Sequence, residues 1–210
     1  MKKLSILIIC LALTGCAVGR KVKYDSLKMN LSEIKSEKIS ISLLDHREAV
    51  IDGSRKPDFV GYMRSNVGIA YPIGTESKNE FIFDLSSNIK NSLNRFNIEV
   101  VNIETKWSDS EQDVKSKLFT TNTNKKLLLV FDELHTDGYA IQVLHYKIGF
   151  FVYDSNNELI KYKVFEADRK LGGTVAWGAG PYKKYMPEAM TKLFEDMFND
   201  TEILNAINKK

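Results

Sequence analysis

The sequence predicts a single α/β domain: a mixed β-sheet with a long antiparallel hairpin and helices packed on it, in the order β-α-β-α-β-β-β-α. Residues 127–131 are apolar without alternation, which is typical of a central strand covered on both faces. Residues 139–167 alternate around the turn-forming segment 154–158, which predicts two paired strands. Apolar residues with helical spacing follow near the end of the chain, at Met190, Leu193, Phe194, Met197 and Phe198.

Earlier segments supply the remaining elements. Residues 39–43 alternate between apolar and polar and predict the first strand, and residues 98–103 predict the second. A helix between them is indicated by apolar residues three and four apart, at Ile82, Leu85, Ile89 and Leu93. Ser110 and Asp113 have the spacing of a capping box, which would begin a short helix. Pro187 is expected at the first position of the final helix.

Two segments contain the glycines and prolines that are typical of loops. We expect residues 46–80 to be a long irregular segment and residues 172–186 to be a flexible loop. Long loops inside compact domains are usually functional or mobile, and loop aromatics often form contact surfaces. The predicted contact surface consists of Arg47, Tyr62, Arg64, Tyr71, Trp177 and Tyr182. The alternative is that its aromatic members cover the core of the sheet.

The composition is that of an ordinary globular domain, with 27% charged and 43% hydrophobic residues in a chain of 210. The formal net charge is +3 and falls to +1 when Lys2 and Lys3 are removed. No basic excess therefore favours binding to nucleic acid.

Motifs for catalysis or metal binding do not emerge from the sequence. His46, between Asp45 and Arg47 at the end of a strand, is the best-placed histidine, but no recognisable nucleophile motif accompanies it. His135 and His145 lack the spacing of a typical zinc site. We therefore predict a noncatalytic protein without a metal or cofactor.

The first residues have the order of a secretory signal. A positively charged start at residues 1–3 precedes an apolar run at 4–13, which is too short to span a membrane. The run ends in Leu13, Thr14, Gly15 and Cys16, and this ending resembles the lipobox of bacterial lipoproteins. The alternative is an ordinary signal peptide with a chance cysteine.

The lipobox resemblance implies removal of the signal peptide 1–15 and lipidation of Cys16 with diacylglycerol and a further acyl chain such as palmitate. We expect residues 16–38 to be a lipidated tether and 39–210 to be the globular domain. With its only mature cysteine acylated, the chain would have no disulfide. In such lipoproteins Ala17 points to the periplasmic face of the outer membrane, with the inner membrane as the less favoured location.

Several short motifs together resemble the YajG-like uncharacterised bacterial lipoproteins. They are the lipobox at 13–16, a first strand ending at 45–47, the helix at 85–93, the strand 127–134 followed by 136–138, the hairpin 139–167 and the helix end at 199–203. The resemblance implies an envelope lipoprotein without a catalytic role.

The predicted fold is also similar to the auxiliary lipoproteins of envelope transporters and to the amino-terminal domain of the Tol system's periplasmic protein. This similarity implies an accessory module that binds a protein or glycan partner in the envelope. The alternative is a lipid- or small-molecule-binding auxiliary component of an envelope transport system. Such a component would need a deep apolar cleft between the glycine-rich loop at 172–180 and the last helix.

Overall fold

The computed structural model describes residues 21–24, 28–64, 67–139, 141–174 and 179–209, with the side chains of 172–174 and 179–183 excepted. These ranges contain eight strands and five helices. The strands are β1 Lys21–Val22, β2 Lys38–Asp45, β3 Phe59–Arg64, β4 Ala70–Thr75, β5 Glu99–Ile103, β6 Lys125–Asp137, β7 Ile141–Tyr153 and β8 Leu159–Thr174. The helices are α1 Glu48–Ile51, α2 Phe81–Asn94, α3 Glu111–Phe119, α4 Ala179–Phe198 and α5 Thr201–Asn208.

Strand β6 lies at the centre of one mixed sheet. Along one edge it pairs in parallel with β2 over residues 125–131 and then with β3 at the pair Gly61–Thr136. Its other edge pairs antiparallel with β7 from Lys126 to Asp137. Strand β5 lies beyond β2, strands β4 and β1 lie beyond β3, and β8 lies beyond β7. The long β6 thus joins a parallel half and a hairpin half of the sheet.

The sheet buries apolar side chains on both faces. Helices α2, α4 and α5 cover one face and form the main core with Leu129 and Phe131 of β6. Helix α3 covers the other face, where a smaller cluster includes Leu128 and Val130. The prediction that 127–131 is a central strand covered on both sides is confirmed, as is the α/β fold class.

The local signals of the strands, the hairpin and the caps are also confirmed. Ser110 and Asp113 form the capping box of α3, with the backbone N–H of Asp113 3.2 Å from Ser110 Oγ. The hairpin of β7 and β8 turns at Asp154, whose Oδ1 accepts hydrogen bonds from two backbone N–H groups of the turn. Asp200 caps α5 in the same way through its carboxylate.

The prediction of an irregular segment at 46–80 is wrong, because α1 and the β3–β4 hairpin lie within it. Gly61 and Pro72 interrupted the sequence pattern of these two strands. Gly61 adopts φ +150° where β3 meets Thr136 of β6, and a Cβ there would lie 2.6 Å from the backbone N of Thr136. The glycine is therefore required by a close approach between strands and does not mark a loop.

The predicted boundaries at 172–186 are also wrong. Strand β8 continues to Thr174, and α4 already begins at Ala179, eight residues before Pro187. Pro187 lies inside the helix and forgoes one backbone hydrogen bond. Burial of Met186 and Met190 on either side supports the helix through this position.

Part of the predicted tether belongs to the folded domain. Lys21 and Val22 pair with β4, and the side chains of Tyr24 and Met29 are 1% exposed. Residues 28–37, here called the amino-terminal strap, lie against α4 and α5 through hydrogen bonds to Glu195, Asn199 and Asn208. The globular unit therefore begins before residue 39. None of the helices in the described ranges combines the length and apolar character needed to cross a membrane.

Candidate interaction surface

Two turns of the sheet come together at one end of the molecule. The β3–β4 hairpin pairs Arg64 with Ala70, which makes residues 65–69 its connection, and β6 turns into β7 after Asp137. A Cβ on Gly68 would lie 3.9 Å from Cε2 of Tyr139, so the two turns are in contact. We call the side chains of Val67, Ile69, Tyr139 and Ile141 the tip surface.

A bidentate ion pair fixes the two turns against each other. Arg64 donates from Nε to Asp137 Oδ1 at 2.7 Å and from Nη2 to Oδ2 at 2.6 Å. Its Nη1 also donates to the carbonyl of Gly68 at 3.3 Å. The hydrogen bond from Arg64 lowers the pKa of Asp137, so that this carboxylate keeps its charge well below neutral pH. The ion pair therefore fixes the geometry of the two turns at the base of the tip surface.

The tip surface is apolar and exposed. Val67 is 79% exposed, Tyr139 56%, Ile69 55% and Ile141 47%. Large apolar side chains gathered at one exposed end of a domain are typical of a contact site for another molecule. Sequence reasoning placed only Arg64 in this region and missed the four apolar residues. The alternation of Val67 and Ile69 around Gly68 is the signal that could have indicated a hairpin end.

Arg47 does not belong to a contact surface, contrary to the prediction. It is 4% exposed, and its Nε and Nη2 each lie 2.7 Å from an oxygen of the buried Asp45 carboxylate. Its Nη1 donates to the carbonyls of Phe59 at 2.7 Å and Leu134 at 3.2 Å. Its guanidinium also lies over the ring of Phe81, 5.2 Å from the centroid. Arg47 therefore connects β2, β3, β6 and α2 inside the protein.

The predicted aromatic contact residues are divided between several places. Tyr62 on β3 is half-buried, packs on Phe59 with ring centroids 5.0 Å apart and accepts a hydrogen bond from Arg55 at 3.0 Å. Tyr71 on β4 is also half-buried, opposite Met63. Tyr182 lies in α4, where its side chain is not described, and Trp177 and Cys16 lie outside the described residues. Among the predicted contact residues whose side chains are described, Arg47 is thus buried, whereas Tyr62, Arg64 and Tyr71 lie on the β3–β4 hairpin.

The histidines form contacts on the face of the sheet that carries α3. His46 is exposed and its Nδ1 lies 3.3 Å from Asp132, whereas Asp45 is buried on Arg47. His135 and His145 are paired across β6 and β7 with ring centroids 5.0 Å apart and ring planes inclined by 21°. Carboxylates border this stacked pair: His145 Nδ1 lies 2.7 Å from Asp168, and His135 Nδ1 lies 3.6 Å from Glu133.

Open grooves surround the sheet. One of about 360 Å³ is lined by Arg47, Phe59 and His135, and another of about 550 Å³ is lined by Glu80, Phe83 and Lys106. Burial raises the pKa of Glu80. Among the described residues, no three histidine, cysteine, aspartate or glutamate side chains are grouped for a metal ion. The cleft that would mark a lipid carrier adjoins residues 175–178, which lie outside the described residues, so that alternative stays a prediction.

Solved structures share this fold, although the sequence matches no protein-family model and no curated protein. Protein XCC0632 from Xanthomonas campestris, of the family DUF330, aligns with a TM-score of 0.55 at 11% identity, over 88% of this chain and 96% of that one. Lipoprotein GNA1162 from Neisseria meningitidis aligns at 0.40 with 8% identity, over 76% and 98% of the two chains. The hypothetical protein CT253 from Chlamydia trachomatis aligns at 0.46 with 10% identity, over 83% and 99%.

The likeness to the DUF330 protein confirms a single α/β domain with helices packed on a mixed sheet. The other two likenesses are too remote to support a conclusion. Membership of the YajG-like family stays a prediction.

Proposed function

We propose that this protein is a lipid-anchored accessory module of the bacterial envelope that binds a protein partner through the tip surface. The anchor is supported by the lipobox-like ending of the apolar run at Gly15 and Cys16. The outer membrane is the proposed location, because Ala17 follows the cysteine. No catalytic role is part of the proposal.

The single observation that carries the binding role is the exposed tip surface beside the Arg64–Asp137 ion pair. Tyr139 offers an aromatic ring with a polar end, of the kind that often dominates binding energy at protein interfaces. Val67, Ile69 and Ile141 add aliphatic area around it. An aliphatic surface of this kind favours a protein over a glycan, because sugar hydroxyl groups need polar partners in the site.

The binding role can be tested by photo-crosslinking in intact cells. A photoreactive amino acid at Val67 or Tyr139 is expected to give one adduct of the same mass from both positions. Phe96 is 40% exposed and lies in the turn just after α2, and it is the matched control position. The substitution Ile69→Asp should abolish the adduct at Val67 while circular dichroism stays unchanged. The same adduct at Phe96, or none at the tip, would contradict the proposal.

The anchor needs a separate test, because a soluble protein could use the same surface. Cys16→Ser is expected to move the protein from the membrane fraction to the soluble fraction of lysed cells. Mass spectrometry of the unsubstituted protein should show two or more acyl chains on residue 16, the number needed for stable anchoring. Retention of the Cys16→Ser variant in the membrane would show that another contact holds it there.

A further inference from the structure

Strand β8 presents a long free edge. It pairs with β7 along one side, and no other strand within the described ranges pairs with its second side. Side chains on both faces of β8 are exposed to solvent. On the face away from the helices, Tyr162 is 47% exposed and Val164 is 40% exposed, and on the helix-facing side Ala167 is also exposed. Such an edge is a template for pairing with another strand.

The lysines on this edge, which normally discourage strand pairing, are held in ion pairs by carboxylates of the last helix and its cap. Lys161 and Lys163 point toward the helices, a placement that discourages strand pairing when the charge is free. Lys163 Nζ lies 2.7 Å from Asp200 and 2.8 Å from Glu202, and Lys161 also contacts Glu202. The paired lysines hold the pKa of Glu202 down to about 2, so the ion pairs persist at physiological pH. A strand that places no cation opposite Lys161 or Lys163 therefore meets little repulsion at this edge.

We propose that β8 pairs antiparallel with β8 of a second copy of this chain, about a two-fold axis at Val164. In such a pair each residue faces the residue at an equal distance on the other side of the axis, and both lie on the same face of the sheet. Tyr162 then faces Glu166 of the second copy, Lys163 faces Phe165, and Asp168 faces Ile160. No charge lies directly opposite a like charge.

Every other centre between residues 161 and 170 brings like charges together. If the axis passes through residue 161, 163, 166, 168, 169 or 170, that charged residue lies directly opposite the same residue of the second copy. A centre at 162 opposes Lys161 to Lys163, one at 165 opposes Lys161 to Arg169, and one at 167 opposes Glu166 to Asp168. Like charges directly opposite destabilise a strand pair. Val164 is therefore the one centre in this stretch at which a second copy of β8 pairs without opposing like charges, and this self-compatibility is the reason for proposing a second copy as the occupant.

Apolar and aromatic contacts support the same centre. Val164 would meet its own copy, and Tyr162 is already positioned by stacking on Phe151, with ring centroids 4.3 Å apart. The edge strand and the tip surface are different surfaces, so this inference does not depend on the proposed partner protein.

Disulfide trapping tests the register in the full-length chain in intact cells. Val164→Cys places two thiols opposite each other at the axis, within the Cα separation of about 5 Å that a disulfide requires. We expect an oxidant to give a species of twice the monomer mass, with a 164–164 disulfide identified by mass spectrometry. Tyr162→Cys is the matched control, because two copies of residue 162 would be about 14 Å apart. Cells that produce the chain with only Cys10 and Cys16 report the background.

Two further variants complete the test. A mixture of Tyr162→Cys and Glu166→Cys chains should give a mixed disulfide, whereas Val164→Glu should remove dimers detected by lysine crosslinking without changing the circular dichroism spectrum. Equal trapping at 162 and 164 would indicate random collision and overturn the proposal. An adduct of another mass at 164, or no trapping there, would overturn it as well.

Discussion

At the scale of single residues, the most consequential contact is the buried pair of Asp45 and Arg47. Both side chains are almost fully enclosed, at 0% and 5% exposure, and all the charge-assisted hydrogen bonds that Arg47 makes lie inside the protein. Removing one member of such a pair is costly, because the other charge stays buried without a counterion.

Arg47→Met is therefore expected to lower the free energy of unfolding by about 3–5 kcal/mol. Urea denaturation followed by circular dichroism measures this loss. The double variant Asp45→Leu, Arg47→Met should recover part of it, because no unpaired carboxylate remains. Arg64→Met is the control, because its pair with Asp137 is more exposed, and a clearly smaller loss is expected. Equal losses for Arg47→Met and Arg64→Met would show that burial is not the cause.

Also at the scale of single residues, His135 in the stacked pair makes the stability of the protein depend on pH. Burial lowers the pKa of His135 below its ordinary value of 6.5, while Glu133 raises it and His145 lowers it. The folded protein then binds a proton at His135 less readily than the unfolded chain does. Stability is complete above the unfolded pKa and falls as the pH drops through the folded pKa.

We predict that His135→Asn weakens the loss of stability between about pH 7 and about pH 5, the range in which histidine titrates. Thermal unfolding across this range measures the effect as a shallower fall of Tm than in the unsubstituted protein. A slope that is identical in the His135 variant and the unsubstituted protein would refute the assignment.

At the scale of elements, the approach of β3 to β6 decides where the tip surface lies. The two strands pair at Gly61 and Thr136, and this contact carries the β3–β4 hairpin toward the turn after Asp137. There is no room for a side chain at this point, since a Cβ on Gly61 would be 2.6 Å from the N and O of Thr136. The position of an entire hairpin thus depends on one glycine.

Gly61→Ala is expected to separate β3 from β6 and to cost about 1–3 kcal/mol, the usual price of forcing a group into packed space. Hydrogen exchange should increase in β3 and β4 before it increases in β7 and β8. Gly53→Ala is the control, because Gly53 also has a positive φ, at +76°, but a Cβ there would meet nothing within 4 Å. This control variant therefore measures the cost of backbone strain alone. Equal losses of stability and equal hydrogen exchange in the two alanine variants would contradict this prediction.

At the scale of the whole molecule, the amino-terminal strap joins the start of the chain to its last two helices. Asn199 makes two of these contacts: Oδ1 accepts from Ser32 N at 2.7 Å, and Nδ2 donates to the carbonyl of Asn30 at 2.9 Å. These hydrogen bonds hold the strap directly against the last two helices.

Asn199→Ala is expected to release the strap locally. Loss of two hydrogen bonds at about 1 kcal/mol each would raise the open population roughly 30-fold. Limited trypsin digestion should then cut faster after Lys28 and Lys35, with the fragments identified by mass spectrometry. Asn205→Ala on the exposed side of α5 is the control and should leave the cleavage rate unchanged.

The sequence by itself determined the elements whose signals are local. The uninterrupted apolar run at 127–131, the alternation through 139–167 and the cap at Ser110 each depend on neighbours in the chain, and all of them appear in the structure as predicted. The lipobox at Cys16 is likewise a local pattern, and the anchoring proposal still depends on the sequence alone.

Only the tertiary structure decided which residues are exposed and which meet. Arg47 looked like a surface cation in a loop, but contacts with Leu134 and Phe81 bury it. An ion pair at the base of the tip surface joins Arg64 to Asp137, and hydrogen bonds of the strap join Ser32 to Asn199, across long stretches of chain. Periodicity reports the near neighbours of a residue, whereas burial and contact surfaces are created when distant segments pack, so these features could not be predicted from the sequence.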